Sequence, residues 1–246
     1  MLARRTLLLA ALPFNLAAAE AAAKELATVL IVVTSADKLP GGKATGLWLE
    51  EYALPYQLFR QAGCRVVVAS PKGGAAPVDA GSLAAGEGHP EWQEARQELL
   101  KTRILKELAE TRYDAIFIPG GHGATVDLPV DPSLLALLAR HAEAKRPLAA
   151  VCHGPAALVG VRLADGKALV AGRRVAAFSD AEEKAVGLDK AVPFLLETRL
   201  RELGAKYSSA ALWQPHVESD GFLVTGQNPA SSRGCAEALL KLLGKG

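Results

Sequence analysis

From residue 28 onward, apolar runs of four or five residues alternate with segments of helical period, and this alternation constrains the fold of the 246-residue chain more than any other feature. A strand that is apolar along its whole length must be covered on both faces, and helical crossovers between parallel strands provide that cover. The expectation is an α/β chain with a mostly parallel sheet and helices on both faces. Strands are expected at 29–33, 65–69, 115–118, 148–151, 175–178 and 222–225, and helices at 47–61, 91–108, 133–144, 194–203 and 231–243. The Gly-, Ala- and Pro-rich stretch 71–88 is an insertion that would cap or wall a site. No composition break divides residues 28–246, which read as one domain.

The N-terminus reads differently. Arg4 and Arg5 precede an apolar run over 7–16 and the small residues Ala17, Ala18 and Ala19, the layout of a signal peptide over 1–19, followed by a short join over 20–27. The run is too short to span a bilayer, so the expectation is a soluble exported protein, periplasmic or secreted, using the general or the twin-arginine route. Two of the 28 basic residues lie in the leader, which leaves 26 against 26 acidic ones. That balance, without basic clusters, speaks against nucleic acid and a membrane surface as partners. Three cysteines without a CxxC pair suit neither a disulfide scaffold nor a zinc ribbon, and no metal-ligand set is read.

In open α/β sheets, sites form where strands run into helices. Pro147-Leu-Ala-Ala-Val-Cys152-His153-Gly154-Pro155 takes an apolar strand directly into a cysteine, with Gly and Pro opening the next helix. This is the layout of a nucleophile elbow, and the helix start beyond it favours a reactive thiolate. Cys64 and Cys235 read as core residues. Ile116-Phe-Ile-Pro119-Gly120-Gly121-His122-Gly123 is a glycine-rich turn; the N–H groups of Gly121 and His153 make a natural oxyanion hole, with His122 beside them as a substrate-binding candidate. Glu51 falls on the apolar face of helix 47–61, where partial burial would raise its pKa into the range useful for proton transfer. Asp180 follows a strand and would either orient His153 or cap the helix before Glu182 and Glu183. His216-Val217-Glu218 resembles the pair that completes a Cys-His-Glu amidase triad.

Together, Ala-Val-Cys152-His153-Gly154-Pro155-Ala and Gly120-Gly121-His122-Gly123 resemble the ThiJ/PfpI superfamily, which has the class I glutamine amidotransferase-like fold, a flavodoxin-like three-layer sandwich. Thr45-Gly46 with Glu51 and Pro55, Ala69-Ser70-Pro71-Lys72-Gly73-Gly74 with Asp79, and Thr225-Gly226-Gln227-Asn228-Pro229-Ala230-Ser231 look like its glyoxalase III and heat-shock chaperone branch. The resemblance spans residues 28 to 243. It implies a Cys152 nucleophile, a Glu51 acid/base and His153 assisting, acting without cofactor on a 2-oxoaldehyde such as methylglyoxal to give a 2-hydroxy acid, in a homodimer. The alternatives are a stress-related holdase or thiol redox sensor, and a cysteine peptidase or amidase using His216 and Glu218.

Overall fold

The computed structural model describes residues 26–85 and 88–245. The expected leader and most of the join that follows it lie outside the described residues. Five of the six expected strands form as parallel strands of one sheet: β1 Thr28–Val32, β2 Arg65–Ser70, β4 Ala115–Ile118, β5 Leu148–Val151 and β9 Leu223–Gly226. With the short β3, Arg103–Ile104, and β8, Val217–Asp220, they form a seven-stranded sheet of order β3-β2-β1-β4-β5-β9-β8 in which β8 alone is antiparallel to its neighbour.

Successive residues of a strand point to opposite faces, so each strand feeds two cores. Val29, Ile31 and Val33 meet one face and Leu30 and Val32 the other. The first face is covered by α1 (Leu49–Gln61), α3 (Gln93–Leu99) and α9 (Ser232–Leu242), through Tyr52, Phe59, Leu99 and Leu239. The second is covered by α4 (Leu105–Leu108), α5 (Pro132–Glu143), α6 (Ala156–Val159) and α8 (Leu196–Glu202), through Leu105, Leu134, Leu138, Leu158 and Leu200. Among the described residues no helix is long and apolar enough to cross a membrane.

Two expectations are revised. The run 175–178 is not a strand of the main sheet. Arg174–Val175 forms β6, paired only with β7, Lys206–Tyr207. The rest lies buried against the ends of β5 and β9, where Ala176 N–H donates to Thr225 Oγ1 (2.8 Å) and Phe178 N–H to Cys152 O (2.9 Å). The expected helix 91–108 is interrupted by β3. The insertion, which includes α2 (Ala80–Ala85), braces the start of α1: Leu47 N–H donates to Pro77 O (2.9 Å) and Leu49 N–H to Ser82 Oγ (3.0 Å).

Candidate active site

Cys152 sits at the C-terminal end of β5 with φ 59°, a left-handed backbone that costs a residue with a Cβ roughly 1–2 kcal/mol. The surroundings hold it there: its N–H donates to Gly226 O (2.9 Å) and its C=O accepts from Phe178. The elbow expected from sequence is present, and it turns Sγ toward the glycine-rich loop after β4. The N–H groups of Gly121 and His153 both lie against the thiol, where they favour negative charge.

Glu51 is fully buried on α1. Its Oε2 accepts from Gly120 N–H (2.8 Å), and its carboxyl also interacts with the Cys152 thiol. Gly120 is required by this close approach, since a Cβ there would lie 2.5 Å from His153 N and 2.7 Å from Glu51 Oε2. Pro55, one turn along α1, has no N–H to give the Glu51 carbonyl, which loosens the turn that carries the carboxyl. Burial pushes Glu51 up to about 8, against the opposing bonds from Cys152 and Gly120. Burial, then the neighbouring Glu51, also pushes the Cys152 thiol well above its ordinary value. The thiolate expected from the helix start is therefore not the resting form. Helix α6 is a single turn, too short to offset desolvation.

His153 is placed to take the thiol proton. Its Nδ1 lies 3.4 Å from Cys152 Sγ and its Nε2 2.8 Å from Glu183 Oε2. Glu183 carries a second imidazole on its other oxygen, His122 Nε2 at 2.9 Å, with the two rings 4.1 Å apart. Burial opposes the charge on Glu183, but hydrogen bonds from His122 and His153 outweigh it and hold the carboxyl down to about 2. Burial, followed by the nearby His122, holds His153 down to about 4. Near neutral pH the imidazole is thus uncharged beside a carboxylate. Its one ring proton sits on Nε2, leaving the Nδ1 lone pair facing the thiol.

Glu183 is the residue that sequence reasoning missed, and Asp180 fills neither role expected of it. Asp180 accepts from the Thr198 N–H and hydroxyl (3.3 and 2.5 Å) and does not meet His153. The cap of α7, Asp180–Ala185, is Ser179, which accepts from Glu182 N–H while Glu182 reaches back to Ser179 N–H. Ser-x-x-Glu was legible as a capping box, and it places Glu183 one turn inside the helix. His122 also departs from expectation, because its Nε2 serves Glu183. Among the described residues, His122, His153 and Glu183 are the one cluster of metal-ligand type. The two rings, inclined at 40° to each other, address separate carboxylate oxygens, an arrangement suited to holding protons more than to converging on one ion. His216 and Glu218 are engaged elsewhere, by the Ser208 hydroxyl at 2.8 and 2.7 Å.

Residues 43–242 match the model of the DJ-1/PfpI family. The chain belongs to the DJ-1/PfpI family. Within it, the chain is 31% identical over 218 residues to the glutathione-independent glyoxalase hsp3101 of Schizosaccharomyces pombe, covering 82% of this chain and 89% of that one. It is 30% identical over 224 residues to the glutathione-independent glyoxalase HSP31 of Saccharomyces cerevisiae, covering 85% and 94%. The crystal structure of glyoxalase III from Candida albicans superposes with a TM-score of 0.77 at 25% identity, over 88% of this chain and 97% of that one.

Proposed function

We propose that the protein is a glutathione-independent glyoxalase that converts 2-oxoaldehydes such as methylglyoxal to 2-hydroxy acids, with Cys152 as nucleophile and Glu51 as acid/base. The observation that carries this reading is a thiol flanked by two proton carriers of complementary state: neutral His153 at 3.4 Å and buried Glu51, protonated until about pH 8.

As Cys152 Sγ bonds to the aldehyde carbon, its proton passes to His153 Nδ1. The aldehyde oxygen, held by the Gly121 and His153 N–H groups, takes the Glu51 proton. The hemithioacetal carbon then yields its hydrogen to the Glu51 carboxylate while His153 protonates the neighbouring ketone oxygen, which gives an enediol. Glu51 returns a proton to the second carbon and His153 removes the one on the first oxygen, leaving a 2-hydroxyacyl thioester on Cys152. Water attacks this thioester, giving one proton to Glu51, and the departing sulfur recovers its own from His153. Every proton is accounted for, and no external donor is needed. Glu183 keeps His153 in the required tautomer throughout.

Two alternatives are less well supported. Oxidative sensing works through an accessible thiolate, whereas Cys152 is 4% exposed and held as a thiol. An amidase triad through His216 and Glu218 is disfavoured by their attachment to Ser208. The leader-like N-terminus supports an exported enzyme, which cell fractionation tests, and the implied homodimer is tested by light scattering. The activity is tested by incubating the reduced protein with methylglyoxal while withholding glutathione. Lactate appearing at a rate that added glutathione does not raise supports the reading; no lactate refutes it for this substrate.

A further inference from the structure

We propose that Trp213 is a specificity-determining residue, whose indole receives the carbon substituent of the 2-oxoaldehyde and favours aromatic substituents over methyl; the inference rests on the glyoxalase reading. Trp213 is 47% exposed and has φ 64°, so a large apolar ring stands in solvent on a backbone that bulky residues rarely adopt. Such outliers persist only where the surroundings over-determine them.

Here the surroundings do. Trp213 N–H donates to Oε1 of the buried Glu182 (3.0 Å), and the same oxygen accepts from Asn228 Nδ2 (2.9 Å). Asn228 Nδ2 also donates to Gln214 O (2.9 Å), and Gln227 Oε1 accepts from Ala210 N–H (2.8 Å). The loop carrying Trp213 is therefore clamped on both sides by the Gln227-Asn228 pair after β9. It holds the indole centroid 6.0 Å from the ring of Phe178, which in turn lies 4.4 Å from the imidazole of His153. Phe178 and His153 are buried, so Trp213 is the solvent-facing end of an aromatic run that terminates beside the thiol.

A 2-oxoaldehyde bonded to Sγ has one variable group, the substituent on its ketone carbon. Glu51, Gly121 and His153 lie against Sγ, and that group is directed along the aromatic run that starts at His153. A phenyl ring adds a flat aromatic surface for that run to stack against. A methyl group offers none.

The test compares kcat/KM for phenylglyoxal and methylglyoxal in the wild-type protein, Trp213→Ala and Trp213→Phe, with the melting temperature of each. The expected result is a phenylglyoxal-to-methylglyoxal ratio about 3- to 10-fold lower in Trp213→Ala, carried by KM and largely recovered in Trp213→Phe. An unchanged ratio overturns the proposal, as does an equal loss on both substrates with a lowered melting temperature. Wild-type protein that turns over neither aldehyde refutes the glyoxalase reading instead. The Trp213 contact is then decided by calorimetric binding of mandelate against lactate: a wild-type preference for mandelate lost in Trp213→Ala upholds it, and equal affinities overturn it.

Discussion

Replacing Glu183 by Gln tests the proton relay at its least replaceable point. The carboxylate accepts one N–H from His153 at 2.8 Å and one from His122 at 2.9 Å, one on each oxygen. An amide of the same shape has one acceptor and one donor, so it satisfies only one imidazole as each now stands. Turned to serve His122, it presents its NH2 to His153 and draws the ring proton to Nδ1, where it blocks transfer from Cys152. A hydrogen bond to a charged group is worth about 1.5–3 kcal/mol, and losing the correct tautomer adds to that. A decrease in kcat of about 100-fold is the expected result, read as lactate formation from methylglyoxal under reducing conditions. Because Glu183 raises the proton affinity of His153, the acid limb of the pH–rate profile should also move to lower pH in the variant. Asp180→Asn serves as the control, with kcat within about twofold of wild type. A Glu183→Gln protein with kcat within twofold of wild type and an unshifted acid limb would refute the reasoning.

Wild-type activity should fall as pH drops through about 4, where His153 gains a proton, and as pH rises through about 8, where Glu51 loses the proton it gives to the aldehyde oxygen; a steady-state pH profile checks both limbs. Stability should follow Glu51 in a related way. Its folded pKa is raised, so its contribution is fully present below its unfolded value of about 4.5 and is lost as pH rises toward about 8. Glu51→Gln should therefore gain on wild type across that interval, by on the order of 4 kcal/mol at most, in urea denaturation at a series of pH values. Gly120→Ala introduces a Cβ 2.5 Å from His153 N and 2.7 Å from Glu51 Oε2. It should cost about 1–3 kcal/mol by thermal melting and lower kcat by at least about 10-fold through displacement of the oxyanion donors.

The parallel sheet covered on both faces was legible in the sequence, because Val-, Ile- and Ala-rich runs such as 29–33 and 148–151 suit strands buried on both sides. The elbow was legible for the same reason: Cys152 and His153 follow such a run with no loop between. Glu51 stood out as a carboxylate on a buried helix face, although the buried stripe of α1 runs through Tyr52, Tyr56 and Phe59 more than through the positions expected from periodicity. What was hidden depends on tertiary packing. Residues 176–178 are apolar because they lie against β5 and β9, not because they pair in the sheet, and β8 (Val-Glu-Ser-Asp) is a polar edge strand with no apolar run to announce it. Glu183 was obscured by Asp180, which stands nearer the end of an apolar run but turns toward Thr198 on α8. The upward shift of the Cys152 thiol was hidden as well, since it depends on complete burial that the sequence only hints at, whereas the upward shift of Glu51 was legible in its place on the apolar helix face.

In the proposed mechanism one buried thiol and one buried carboxyl carry the chemistry together. The most direct test is a single assay of lactate formation from methylglyoxal, without glutathione, by reduced wild-type protein beside Cys152→Ala and Glu51→Gln. Steady turnover by the wild type is expected, with no lactate above the enzyme-free rate from either variant. Turnover at the wild-type rate by either folded variant would contradict it.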